Sequence, residues 1–596
     1  VDMAAERLFR DGAVNIPLYI EGISPAYSSG IKVYFMPRVG YPAPDWLQDQ
    51  VRVSVVKVDI AMDGNRDDII DFDDPADGKY LFWVNDDYDV KHWDEDMWQE
   101  DDEPRPHGAS VPINCSDDYI GETEYRGVLI NPHNCRRDLE DFTRLHIRVD
   151  DNTANMRGLS YLLKFENVSS GSPSVNIFEA IDETLAYLRE GAVADQQIQK
   201  RRLATVDATA RPLPKQHIKS DNQRSPFILE GRTAGKGELT IIVKMNGNEV
   251  CRKAVTLELR PINTFYQVFK VAAAGQNSAD VSAGYNPDFA GSGDYLLFVH
   301  GFNVNATDKT YWPGTVFKRL WWQGYKGHLG FFDWPCVIRD WWDLNPAFFD
   351  NSENIAWQCG RALLHRINDL NAGAHADKVR LIAHSQGNII AGEALRNATS
   401  IIVQAYIASQ AAVAGDHYRV GLPQNPDSYG QPFPTTPNVL ANYPPAGSPY
   451  LSGVFTHVVR LGVFNYVNNA DYALRSGTFS WERNNAMKPD LNYWYHEADG
   501  NVDSYTWPDE YFFYDDLGPG FRVLAFPEDR FEIYSYGAEA RSFALGTDNV
   551  PGFTQFNLRA PPLYYNSTHY SHSRQLRSNI VDERRYWEKV VQDCDF

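Results

Sequence analysis

The residue with the clearest chemical promise is Ser385, in the run KVRLIAHSQGNIIAGEAL from Lys378 to Leu395. A serine hydroxyl attacks a carbonyl well only when a base takes its proton and a rigid corner holds it outward. Ala383 and Gly387, two residues before and two after, are small enough to let two backbone segments close on such a corner. A serine here would also serve as a plain helix N-cap, so its companions must decide between chemistry and capping. A second pattern lies far upstream. Asp63, Asn65, Asp67, Asp71 and Asp74 place oxygen donors at alternating positions, with apolar Ile70 among them. Alternate oxygens that curl round one point suit a hard cation, which wants six to eight of them.

The elements that must position Ser385 are legible around it. Val379 to Ala383 is a short apolar run suited to a buried strand, and Asn388 to Leu395 has helical apolar spacing. Tyr295 to Val299 is another apolar run and ends in His300-Gly301-Phe302-Asn303. Gly301 lets the backbone come close to a bound group, so the amide of Phe302 can face an oxyanion. With the amide of Gln386, it would form the two-donor hole a tetrahedral acyl intermediate needs.

VHGFN, GFFDWP, a helix over Asn354 to Asn371 and LIAHSQGN, between Tyr295 and Leu395, together resemble the bacterial serine esterase and lipase branch of the α/β-hydrolases. The resemblance implies a mostly parallel sheet and the chain order nucleophile, acid, base. Asp471 follows the apolar run THVVRLGVFNYV and takes the acid position, with Asp416, Asp499 and Asp503 as weaker candidates. The base is sought in NSTHYSHSRQL, ahead of a terminal helix over Asn579 to Val591, and His572 is preferred to His569. His496 comes too soon after the acid. His384 is expected to pack beneath the elbow, and Asp333 and Trp334 to lie in the core. The implied function is a serine carboxylic-ester hydrolase working through an acyl-enzyme and needing no catalytic cofactor. Lipid or acyl esters lead as substrates, with carbohydrate or polymer esters second. The rival from another class is a calcium-dependent binding or adhesion protein whose hydrolase half is inactive.

From Asp59 to Glu103 there are 18 acidic residues against only Arg66, Lys79 and Lys91. Such imbalance calls for disorder or for neutralising cations, and the aromatic and β-branched content of YLFWVND argues for the second. The loop departs from the EF-hand type in having Asp68 where a glycine makes the turn and Asp74 where a glutamate binds. Residues 51–149 as a whole resemble the calcium-binding middle domain of the protein-arginine deiminases. That similarity implies structural calcium and no deiminase chemistry. The expected ligands are Asp63, Asn65, Asp67, Asp71, Asp74, Asn85, Asp87 and Asp89.

These readings give a multidomain plan for 596 residues. A β-rich acidic domain (1–150) and a β-sandwich companion (151–271) precede a linker (272–293) and an α/β-hydrolase domain (294–596) with insertions at 422–450 and 487–565. Val175 to Arg189 reads as an amphipathic helix. Leu239 to Arg260 reads as a hairpin turning at Asn246-Gly247. The net charge of −23 argues against nucleic acid and anionic membrane surfaces. With a mean hydropathy of −0.44, no run is long and apolar enough to span a membrane. The six cysteines show no metal-type spacing and permit a disulfide or two. The chain begins at Val1, as expected of a processed form, and a secreted or periplasmic location is expected.

Overall fold

The computed structural model describes residues 31–34, 48–51, 56–85, 124–125, 128–129, 136–150, 158–219, 222–282, 293–338, 347–413, 458–468, 474, 554–558, 572–577 and 580–596. The front half is built from β1 (Ile31–Tyr34), β2 (Gln48–Val51), β3 (Lys57–Ala61), β4 (Lys79–Val84), β5 (Glu124–Tyr125), β6 (Val128–Leu129), β7 (Phe142–Asp150), β8 (Leu159–Glu179), β9 (Arg202–Val206), β10 (Arg211–Leu213), β11 (Arg224–Met245) and β12 (Asn248–Pro261). The pairs β1–β2 and β5–β6 stand apart, and the rest form one eight-stranded sheet. Its spine is β11, which pairs with β7 over Arg224–Glu230 and with β12 from Gly235 onward, while β8 follows its other edge. The β8–β11 register slips between Gly231 and Glu238, where Gly235 and its partner Gly171 take positive φ, so two very long strands can bend. Met245 pairs with Asn248, and Asn246 and Gly247 at φ 50° and 87° make the expected two-residue turn.

The expected helix over Val175 to Arg189 is corrected. Val175, Ile177 and Phe178 are buried in β8 between β11 and β9, the stretch holds only a short 3-10 turn at Ala186–Leu188, and α-helix follows at α1 (Gly191–Gln197). Pairing on both edges rewards β-branched and aromatic side chains and overrides a helical spacing that was only local.

The back half is an eight-stranded sheet of β13 (Gln267–Lys270), β14 (Asp280–Val281), β15 (Tyr295–Val299), β16 (His328–Asp333), β17 (Val379–His384), β18 (Val403–Ser409), β19 (Val459–Val467) and β20 (Thr554–Asn557). The spatial order is β14-β13-β16-β15-β17-β18-β19-β20, and every pairing except β13–β14 is parallel. The strands β15, β17 and β18 are buried at every position, as central strands covered on both faces must be. Their connections include α2 (Ala306–Trp322), α3 (Ala347–Ala372) and α4 (Gly387–Arg396), and the chain ends in α5 (Arg574–Arg577) and α6 (Ile580–Asp593). Three strands fall where the sequence placed none. β13 and β14 come from the companion region and linker, and β20 lies inside the expected 487–565 insertion. All three are short and lie towards the sheet's edges, too brief to leave a period in the sequence.

The two halves share a core. Trp83 of β4 meets Phe265, Phe317, Trp321 and Trp322 edge-on, with Trp321 closest at 5.5 Å between ring centroids. Among the described cysteines, Cys251, Cys336, Cys359 and Cys594 are free. No described helix is long and apolar enough to cross a membrane.

Candidate active site

Ser385 stands between β17 and α4 with φ 53°, a left-handed conformation that costs a non-glycine residue on the order of 1 kcal/mol or more and needs support from its surroundings. That support is dense. The Ser385 amide donates to the Ser409 carbonyl, and the Ser385 carbonyl accepts from the amides of Asn388 and Ala412. The buried Asn388 side chain donates to the carbonyls of Ala383 and Ser385 at 3.0 Å each, and its own oxygen accepts from the Tyr406 hydroxyl at 2.6 Å. Gly387 is required because a Cβ there would lie 2.6 Å from the carbonyl oxygens of both Val299 and His300. β15 therefore passes hard against the first turn of α4.

The oxyanion-loop candidate touches the elbow directly. A Cβ on Gly301 would lie 2.6 Å from the Ser385 Cβ and 3.2 Å from its Oγ, so the peptide after β15 runs alongside the hydroxyl. His300 locks that peptide. The Trp334 amide donates to His300 Nε2 at 3.2 Å, so the proton sits on Nδ1, which donates to the Gly301 carbonyl at 2.9 Å. Burial holds this imidazole below its usual pKa, against the opposing influence of Asp333, so the neutral form is the one present. His300 is stacked between Phe331 and Trp334, each ring centroid 5.4 Å away, and Asp333 is paired with Lys309 at 2.6 Å. Asp333 and Trp334 thus belong to the core under the loop, as the sequence suggested. Gln386 is buried at the N-cap of α4, where amides lack acceptors inside the helix.

His572 is buried ahead of α5, and its carbonyl accepts from His384 Nε2 at 2.8 Å. The two imidazoles are 4.8 Å apart between centroids, and Trp312 meets His384 edge-on. The structure therefore brings the His572 segment to the residue next to Ser385. His384 does pack under the elbow, but it also grips the segment that carries the proposed base. Asp471, His569, Asp416, His496, Asp499 and Asp503 lie outside the described residues. The sequence reading missed two contributors, His300 as a peptide lock and Asn388 as a brace. The run VHG marked the first, but its tautomer depends on Trp334, 34 residues further on.

In the acidic region, Asp68 takes φ 69°, so the turn made by glycine in an EF-type loop is made here by an aspartate. The donors, however, are engaged within the loop. Asp63 accepts from the amides of Asp67 and Asp68, Asp67 from Ile69, Asp71 from Asp73 and Asp74 from Ala76. Asn65 donates to Asp67 and Asp74, and the Asn85 side chain donates to Glu230. Arg144 donates to the Asp63 carboxylate at 3.0 Å and to the Asp68 carbonyl at 3.1 Å, filling the place of a charge. Asp87 and Asp89 lie outside the described residues. Among the described residues, no group of three or more His, Cys, Asp or Glu side chains could hold a metal ion.

Residues 290–410 match the family model described as alpha/beta hydrolase of unknown function (DUF900). Strands β15 to β18, the Gly301 loop and the Ser385 corner fall inside that span. No curated protein matches the chain. Among solved structures, a calcium-binding mutant of Bacteroides uniformis beta-glucuronidase 2 aligns at 11% identity over 58% of this chain and 42% of its own, with a TM-score of 0.11. Bacteroides uniformis beta-glucuronidase aligns at 9% identity over 58% and 42%, with a TM-score of 0.10. The chain thus spans less than half the length of these two structures, and neither bears on its fold.

Proposed function

We propose that this chain is a serine carboxylic-ester hydrolase. The observation that supports this most is Ser385, held left-handed at a strand–helix corner with the Gly301 backbone against its Cβ and the His572 segment bound to its neighbour. In the proposed reaction, His572 takes the Ser385 proton as Oγ forms a bond to the ester carbonyl carbon, and Asp471 supports the resulting imidazolium. The carbonyl electrons move onto oxygen. A peptide is planar and trans, so with the Gly301 carbonyl tied to His300 the Phe302 N–H faces the opposite way, and with the Gln386 amide it receives that oxyanion. The tetrahedral centre collapses, and His572 protonates the departing alcohol. Water, deprotonated by the same imidazole, then frees the acid from Ser385.

No resident cofactor is needed for these steps. Lipid or acyl esters are the favoured substrates and carbohydrate or polymer esters the alternative, with a secreted or periplasmic setting. The test is hydrolysis of p-nitrophenyl esters of graded chain length by wild type and Ser385→Ala. Loss of about 10⁴-fold or more in kcat is expected for the variant. Equal rates would leave a binding protein with an inactive hydrolase half as the better reading.

A further inference from the structure

The front half reaches the segment that carries His572, and it does so through buried charge. The turn Arg136–Asp141 presents Glu140 and Asp141, both fully buried, to the last turn of α2, where Lys318 and Arg319 are equally enclosed. Lys318 Nζ lies 2.6 Å from Asp141, which also accepts from Trp83 Nε1 at 2.5 Å. Arg319 Nε lies 3.3 Å from the Glu140 carboxylate, and Trp322 Nε1 donates to the Glu140 carbonyl at 2.8 Å. The other arm of Arg319 continues past the interface. Its Nη1 donates to the carbonyl of Gln575 at 2.5 Å, an oxygen that Trp587 also reaches at 3.1 Å. Gln575 lies in the first turn after His572, and that turn is closed by the Leu576 amide donating to Ser573. His572–Gln575 is thus held at both ends by its carbonyls, from His384 on one side and Arg319 on the other.

We propose that Glu140 and Arg319 are positioning residues for the base, so that the β-rich front half is a working part of the active site. A guanidinium is a rigid planar fork, so the carboxylate that fixes one edge also fixes where the other edge points. Burying four ionised groups gains little stability over apolar packing of the same volume. What such a pairing supplies is a defined geometry, here at a peptide three residues from the imidazole. This rests on the ester-hydrolase reading and adds to it a residue chain across the two halves.

The experiment uses the full-length chain with p-nitrophenyl butyrate, at a temperature well below every variant's melting point. Glu140→Gln and Arg319→Lys should each lower kcat tenfold or more with KM changed less than twofold. Glu140→Asp keeps the charge on a shorter arm and should show the same split on a smaller scale, which serves if the first two fold poorly. Trp322→Phe removes a neighbouring bond between the halves without touching Gln575, so it should lower the melting temperature and leave kcat alone. Unchanged kcat per folded molecule in the Glu140 and Arg319 variants would overturn the proposal. An equal kcat loss in Trp322→Phe would do the same, because docking alone would then explain both. Ser385→Ala in the same assay reports separately on the hydrolase reading.

Discussion

Ser385 and Asp68 occupy nearly the same left-handed backbone region, at φ 53° and 69°, and the two corners are supported in opposite ways. At the elbow the braces come from the elements packed around it: Ser409 of β18, the β15 backbone and, three residues on, Asn388 of α4. In the acidic loop many of the braces are local, since neighbouring carboxylates accept the loop's own amides, and Arg144 of β7 adds to them from outside. A corner held by the surrounding fold leaves its side chain available for chemistry. A corner held by its own side chains consumes them. Oxygen donors at alternating positions therefore do not by themselves make a cation site, because amides and a guanidinium can take the same lone pairs.

The largest effect expected in this comparison is at Arg144. Arg144→Met leaves the buried Asp63 carboxylate without its cation and should cost about 3–5 kcal/mol of stability in denaturant melts. Wild type should keep its melting temperature when a calcium chelator is added. A fall of several degrees on chelation, reversed by calcium, would return the loop to the metal sites and erase the contrast with the elbow. Next comes Gly301→Ala. Its Cβ would collide with the Ser385 Cβ, so kcat should drop about 10²–10³-fold, the scale of a lost oxyanion donor. Gly64→Ala in the acidic loop meets backbone oxygens of Ala76 and Lys79 more closely still, and should lower stability while sparing the activity of the folded fraction. Equal effects of the two substitutions on kcat would mean the corners do not differ in kind.

How much of this was legible in the sequence follows the range of the interactions. The elbow could be read because a strand period and a helix period meet at one residue, with small neighbours that only a tight corner requires. The Asn246-Gly247 hairpin was legible for the same local reason. The strand at Val175 was misread because its pairing with β11 lies more than 50 residues away and outweighs the helical spacing. The His300 tautomer and the Glu140–Arg319–Gln575 chain depend on contacts that no spacing encodes. The acid at Asp471 rests on chain order alone, since it falls outside the described residues.

His384 sharpens the elbow side of the contrast at a smaller scale. His384→Phe fills the space but gives up the donor to the His572 carbonyl, and should lower kcat about tenfold, worth about 1.4 kcal/mol. His384→Gln, whose amide can reach the same carbonyl, should recover most of that loss. If both variants match wild type, His384 is packing alone.

The smallest effect lies in the front sheet, on β7, the strand that supplies Arg144. His146 is buried there, neither ring nitrogen has a hydrogen-bond partner among the described residues, and burial together with Arg144 lowers its pKa to about 3. An unpaired imidazole of this kind costs about 1–3 kcal/mol in desolvation, so His146→Leu should raise stability by about 1 kcal/mol once packing losses are subtracted. The sign of the pH dependence follows from the direction of the shift. Between about 3 and the ordinary value of 6.5 the unfolded chain binds a proton at this residue that the folded chain refuses. The contribution of His146 to stability therefore falls as pH drops through that window, at a slope approaching about 1.4 kcal/mol per pH unit. Denaturant melts of wild type and His146→Leu at pH 7 and pH 5 measure it. The gap between the two proteins should widen on acidification, and a gap that stayed constant would mean that His146 takes up its proton in the folded state as readily as in the unfolded one.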